Sequence, residues 1–98
     1  MSDPHVIHKE MGYTRAEFEL KLPRLFGDTP FSIEDNRVVG EPDGKRVELE
    51  LSPDRFRTLS PIIRMPVMDV TIRLYGYSES ERADFIRTFD LKYFKGGG

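Results

Sequence analysis

The residues best suited to chemistry in this chain are four arginines and a tyrosine: Arg55, Arg57, Arg64, Arg73 and Tyr75. A guanidinium is a planar fork of donors that keeps its charge at any ordinary pH, and a tyrosine ring can stack against it. If residues 53–65 fold beside the strand that carries Arg73 and Tyr75, these groups converge on an anion or on an acidic partner surface. The structural alternative is cross-strand pairing of the same arginines with Glu48 and Glu50, a routine arrangement on a sheet face.

Other chemistries find less support. His5 and His8 are the only two histidines, and Pro4 and the absence of a helical period argue against a helix that would aim both at one metal. No metal or other cofactor is expected. The serines and threonines lie in no G-x-S-x-G elbow, and the glycine patterns that cradle phosphates or dinucleotides are missing. Glu48 and Glu50 fall on the wet side of a strand pattern, and Glu79 and Glu81 in a helical first turn. Neither pair has the apolar flanks that raise a carboxyl pKa for acid–base work. The chain contains no cysteine, which removes thiol nucleophiles and thiolate metal sites.

Two features near the C-terminus point elsewhere. Tyr77, Tyr93 and Phe94 cluster around the last strand and helix, and any left outside the core would form an aromatic contact for a protein partner or a second copy. The ending Lys95-Gly96-Gly97-Gly98 resembles that of the sulfur-carrier and ubiquitin-like modifiers. That resemblance implies activation and attachment at Gly98. In that family a β-strand precedes the glycines, whereas the pattern here places a helix before them.

The elements that must position these groups are legible in several places. Thr14-Arg15-Ala16-Glu17 is a capping box, and Phe18, Leu22, Leu25 and Phe26 follow on one helical face. Pro23 should kink that helix or end it near Leu22, with Gly27 as the stop. Phe31 and Ile33 alternate with polar residues, a tight turn at Asp35-Asn36 returns the chain through Val38-Val39, and Pro42-Asp43-Gly44 is a second turn. Arg46 to Ser52 and Val67 to Tyr75 alternate apolar and polar residues and predict two strands with one face solvated. Residues 5–13 fit an edge strand. Residues 53–65 fit either a short helix capped by Ser52-Pro53-Asp54, with Phe56, Leu59 and Ile63 inward, or an irregular crossover or bent strand. A second capping box, Ser78-Glu79-Ser80-Glu81, opens a helix whose apolar residues are Phe85, Ile86, Phe89 and Tyr93, with Gly96 as its stop.

The expected fold is therefore α+β: a single antiparallel sheet of four to five strands with two helices packed on one face, order (β)αββββα. Residues 1–95 form one domain and 96–98 a flexible glycine tail. A chain of 98 residues, 38% hydrophobic and 11% aromatic, can build one core but not two. Net charge is −2, with −4 in residues 1–50 and +2 in residues 51–98, too little to imply a nucleic acid or a membrane surface as partner. No apolar run reaches membrane-spanning length and no signal-peptide pattern opens the chain, so a cytoplasmic protein is expected. The leading functional expectation is a small non-catalytic accessory or protein-interaction domain, using its outer sheet face or its C-terminal helix. The alternatives are a carrier activated at Gly98 and an anion-binding domain built on the arginines.

Overall fold

A computed structural model describes residues 3–93. The chain runs β1 (His5–Met11), α1 (Arg15–Leu20), α2 (Leu22–Phe26), β2 (Phe31–Glu34), β3 (Arg37–Gly40), β4 (Val47–Leu51), β5 (Arg55–Ser60), β6 (Ile63–Leu74) and α3 (Glu79–Lys92). All strand pairs are antiparallel, in the order β1-β6-β4-β3-β2, with β5 paired to β6 beyond β4. The sheet thus has six strands rather than four or five. The extra strand comes from residues 55–60, where a helix with Phe56, Leu59 and Ile63 turned inward is not formed.

Both capping boxes are made. The Thr14 side chain accepts from Glu17 N and the Ser78 side chain from Glu81 N, while each glutamate accepts from its cap backbone. The first helix breaks at Lys21, and Pro23 falls in the first turn of α2, where a missing N–H leaves no intrahelical bond unmade. Gly27, at φ 60°, closes α2 in a conformation that β-carbons disfavour. Asp35 occupies the tight turn with φ 53°. The last helix ends at Lys92 with Tyr93 as its cap, ahead of the expected stop at Gly96.

Strand alternation sorts the sheet into two faces. Val38, Val47, Leu49, Leu51, Met68, Val70, Ile72 and Leu74 share one face and are buried there. Phe18, Leu22 and Phe26 from the first helical pair and Phe89 with Tyr93 from the last cover them in one core. An aromatic stack ties the two helical elements together. The rings of Phe18 and Tyr93 lie 4.5 Å apart and nearly parallel, and Tyr13 meets Tyr93 edge-on at 5.6 Å. The buried hydroxyls are satisfied: Tyr93 donates to Phe18 O at 2.9 Å and Tyr13 to Tyr93 O at 2.6 Å. Among the described residues no helix is long and apolar enough to cross a membrane.

The longest strand carries the feature that most affects function. The 12 residues of β6 pair with β1 and β4 only from Met68 onward. Before Met68 the strand pairs with β5 alone, forming a two-stranded arm beyond the edge of the sheet. At the arm's base, three residues (Ser52, Pro53, Asp54) oppose two (Met68, Asp69), a bulge that interrupts the hairpin. Ser52 bridges the gap, donating from its N–H to Asp69 O at 2.9 Å and accepting Asp69 N on its hydroxyl at 2.8 Å. Asp54 accepts Arg15 N at 2.7 Å, so it caps α1 from across the molecule instead of opening a helix of its own. A second irregularity at Thr58/Ser60 sets Leu59 out of register. Molecular extents of 49 × 29 × 25 Å reflect the projection.

Candidate interaction site

The arginine group does not converge on an empty site. On the outer face of the sheet, Arg73 donates to Glu50 at 2.7 Å, and this hydrogen bond draws the Glu50 carboxyl below its ordinary pKa. Arg55 bonds Asp69 at 2.8 Å, and Arg57 reaches Glu10 at 2.9 Å. Glu48 was expected on the wet face, yet it is 6% exposed, because Arg46 at 2.6 Å and Arg37 at 3.9 Å lie over it. Register places Arg64, partner of Thr58, on the opposite face of the arm from Arg55 and Arg57. Its guanidinium sits 4.9 Å from the centre of the Phe56 ring and makes no ion pair among the described residues. Tyr75 is part-exposed at the far end of β6 from Arg55 and Arg57. An anion would therefore have to displace carboxylates from three of the four arginines.

The arm itself is the exposed apolar element. Phe56 is 52% exposed, Leu59 55%, Ile62 91%, Ile63 51% and Met65 44%. Ile62 sits in the two-residue loop with Pro61, since Ser60 pairs with Ile63. None of these five joins the core cluster. Their type and spacing suited an inward-facing helix, and only the tertiary structure removes them from the interior. The sequence does hold a signal for the hairpin: Pro61 presets the first corner of a tight turn, flanked by runs that alternate as strands do. Pro66 fits a strand with one neighbour, because β1 no longer reaches it.

The described surface also holds a groove of about 350 Å³ at the opposite end of β6. Leu25 and Phe26 of α2, the turn at residues 42–45, Tyr77 and one face of α3 from Glu81 to Thr88 line it. Lys45 pairs with Glu81 and lies 5.6 Å from the Tyr77 ring centre. The hydrogen bond from Lys45, with the cap bond from Ser78 N, pulls the Glu81 carboxyl down to about 2. Burial, with Asp43 and Glu81 nearby, pushes the Tyr77 hydroxyl up to about 12. Around neutral pH Glu81 is ionised and Tyr77 is neutral, so neither is poised to exchange a proton there. Asp43, at φ 54°, has no hydrogen-bond or ion-pair partner among the described residues.

The remaining sequence candidates separate. Tyr77 is half-buried in the groove, whereas Tyr93 is 5% exposed, in the core, and offers no surface contact. Phe94 and Gly98, with the rest of the glycine ending, lie outside the described residues. His5 pairs with Leu74 and His8 with Thr71, so the two rings project from opposite faces of β1 and cannot share a metal. No group of three or more metal-ligating side chains occurs among the described residues. Comparison with protein-family models, with curated proteins and with solved structures returns no match to this chain.

Proposed function

We propose that this chain is a small protein-interaction domain whose contact element is the β5–β6 arm. The observation that carries this reading is the concentration of five large exposed apolar side chains, none of them part of the core, on one segment. Scattered exposed leucines are normal on protein surfaces, whereas here the exposed apolar residues gather at one end of the molecule, with Phe56 on one face of the arm and Met65 on the other. Arg64 is of a type enriched in binding hot spots, and Phe56 of a type enriched at interfaces. The body supplies a rigid base and the arm supplies reach. The outer sheet face is less suited to the role, because its arginines and carboxylates already satisfy one another.

Site-directed photocrosslinking in producing cells tests the reading. A crosslinker at Ile62 should give protein adducts well above those from Ser32, an exposed residue on the outer side of the far edge strand. Equal yields at the two positions would sink the proposal.

A further inference from the structure

Charge is segregated between the arm and the rest of the molecule. Residues 55–67 carry three arginines and no acidic residue, while the other 85 carry 12 Lys/Arg against 17 Asp/Glu, a net −5. Arg55 and Arg57 already pair with Asp69 and Glu10 of the body, so arm-to-arm association would bring together two Arg64 guanidiniums with no acid of the arms between them. A basic, apolar arm instead fits an acidic, apolar recess, and this chain has one. The groove between α2, the turn at residues 42–45 and α3 combines Leu25, Phe26 and Phe85 with three carboxylates, Asp43, Glu81 and Asp84, against one cation, Lys45. Glu81 pairs with Lys45 and Asp84 with Arg87, which leaves Asp43. Its volume of about 350 Å³ lies at the lower end of the range for binding pockets. Among the described residues of the arm and the groove, two charged groups have no ion-pair partner: Arg64 and Asp43.

The arm cannot enter its own groove. The two lie at opposite ends of β6, and 12 extended residues span about 40 Å. Two elongated copies laid side by side and antiparallel would each set an arm against the other's groove. A two-fold axis then closes the assembly at two. A lone two-stranded hairpin is marginally stable in water, so docking would also supply the cover that the arm lacks within one chain.

We infer that the occupant of the arm is a second copy of this chain. Each arm inserts its Ile62 tip into the partner's groove, with Arg64 facing the partner's Asp43. This rests on the arm being a protein-contact element, as proposed above.

Sedimentation of the full chain over a range of concentrations is the test. The expected result is a reversible monomer–dimer equilibrium that weakens as salt rises, because opposite charges meet across the contact. Ile62→Asp should weaken it by about tenfold or more. Arg64→Glu and Asp43→Asn should each weaken it too, and their combination should cost less than the two single effects together. Circular dichroism melting of dilute monomer, unchanged in each variant, separates lost contact from lost fold. Additive effects of Arg64→Glu and Asp43→Asn would overturn the assigned contact, and masses that grow without limit would overturn the closed pair. A strictly monomeric chain whose Ile62 crosslinks to other proteins would end this inference and leave the interaction reading standing. A monomer with no preferred crosslinking at Ile62 would end both.

Discussion

Single residues in this molecule are held by their neighbours in ways that composition does not reveal. Gly40 has no unusual backbone angle, but a β-carbon there would lie 2.6 Å from the edge of the Phe26 ring, which stacks on Phe31 at 5.1 Å. Gly40→Ala must push that buried ring aside, and overpacking of this kind costs on the order of 1–3 kcal/mol. Urea unfolding should show a lower midpoint at unchanged slope; an unchanged midpoint would show that the ring moves freely. Glu81 shows its role through pH. Its carboxyl is drawn from 4.5 to about 2 in the folded chain, so folding favours the ionised form. That contribution is complete above the unfolded pKa and is lost as pH falls through the window from 4.5 toward 2. Wild type should therefore exceed Glu81→Gln in stability most clearly near neutrality and at low salt, with the gap closing through that window. A gap that does not vary with pH would rule the pairing out as its source.

Among the elements, those fixed by local chemistry are legible in the residues themselves. The two capping boxes, the tight turns at Asp35-Asn36 and Pro42–Gly44, and the alternation of β4 and β6 all form where the residues indicate. The 53–65 segment is not legible in this way, because Phe56, Leu59 and Ile63 suit a helix and prolines suit neither helix nor central strand. Its hairpin is decided by continuation: β6 runs on past the sheet, and Ser52 patches the bulge that lets β5 follow β4 along the same strand. The arm should open more readily than the strands behind it, since it has two strands and no covering layer. Hydrogen exchange on dilute protein should find the amides of Arg57 and Met65 far less protected than those of Leu49 and Ile72. Equal protection would mean that the arm is covered even in the monomer.

At the scale of the whole molecule, a flat body covered by helices on one face bears a projecting arm at one end and a groove at the other. The radius of gyration, 14.3 Å, exceeds the roughly 13 Å of a compact chain near this length, and the projection accounts for the direction of the excess. This polarity turns a modest net charge of −2 into a basic arm and an acidic remainder. A count over sequence halves obscures that division, because it averages the arm with α3 and its acidic first turn. The concentration and salt dependence expected of the paired copies belong to this scale, since no single residue or element predicts them.

By itself the sequence determined the α+β class, the antiparallel sheet with a solvated face, both helix starts and most of the core. Those follow from periodicity and capping, which act over a few residues and need no knowledge of distant neighbours. The Arg73–Glu50 pair and the place of Tyr93 on the apolar helix face were legible in the residues as well. The tertiary structure alone decided the sixth strand, the pairing of Arg55 with Asp69 and of Arg57 with Glu10, and the exposure of Phe56, Leu59, Ile62, Ile63 and Met65. The reason is physical. An apolar side chain is core or contact surface according to what lies above it, and that depends on where β1 and β4 stop pairing with β6.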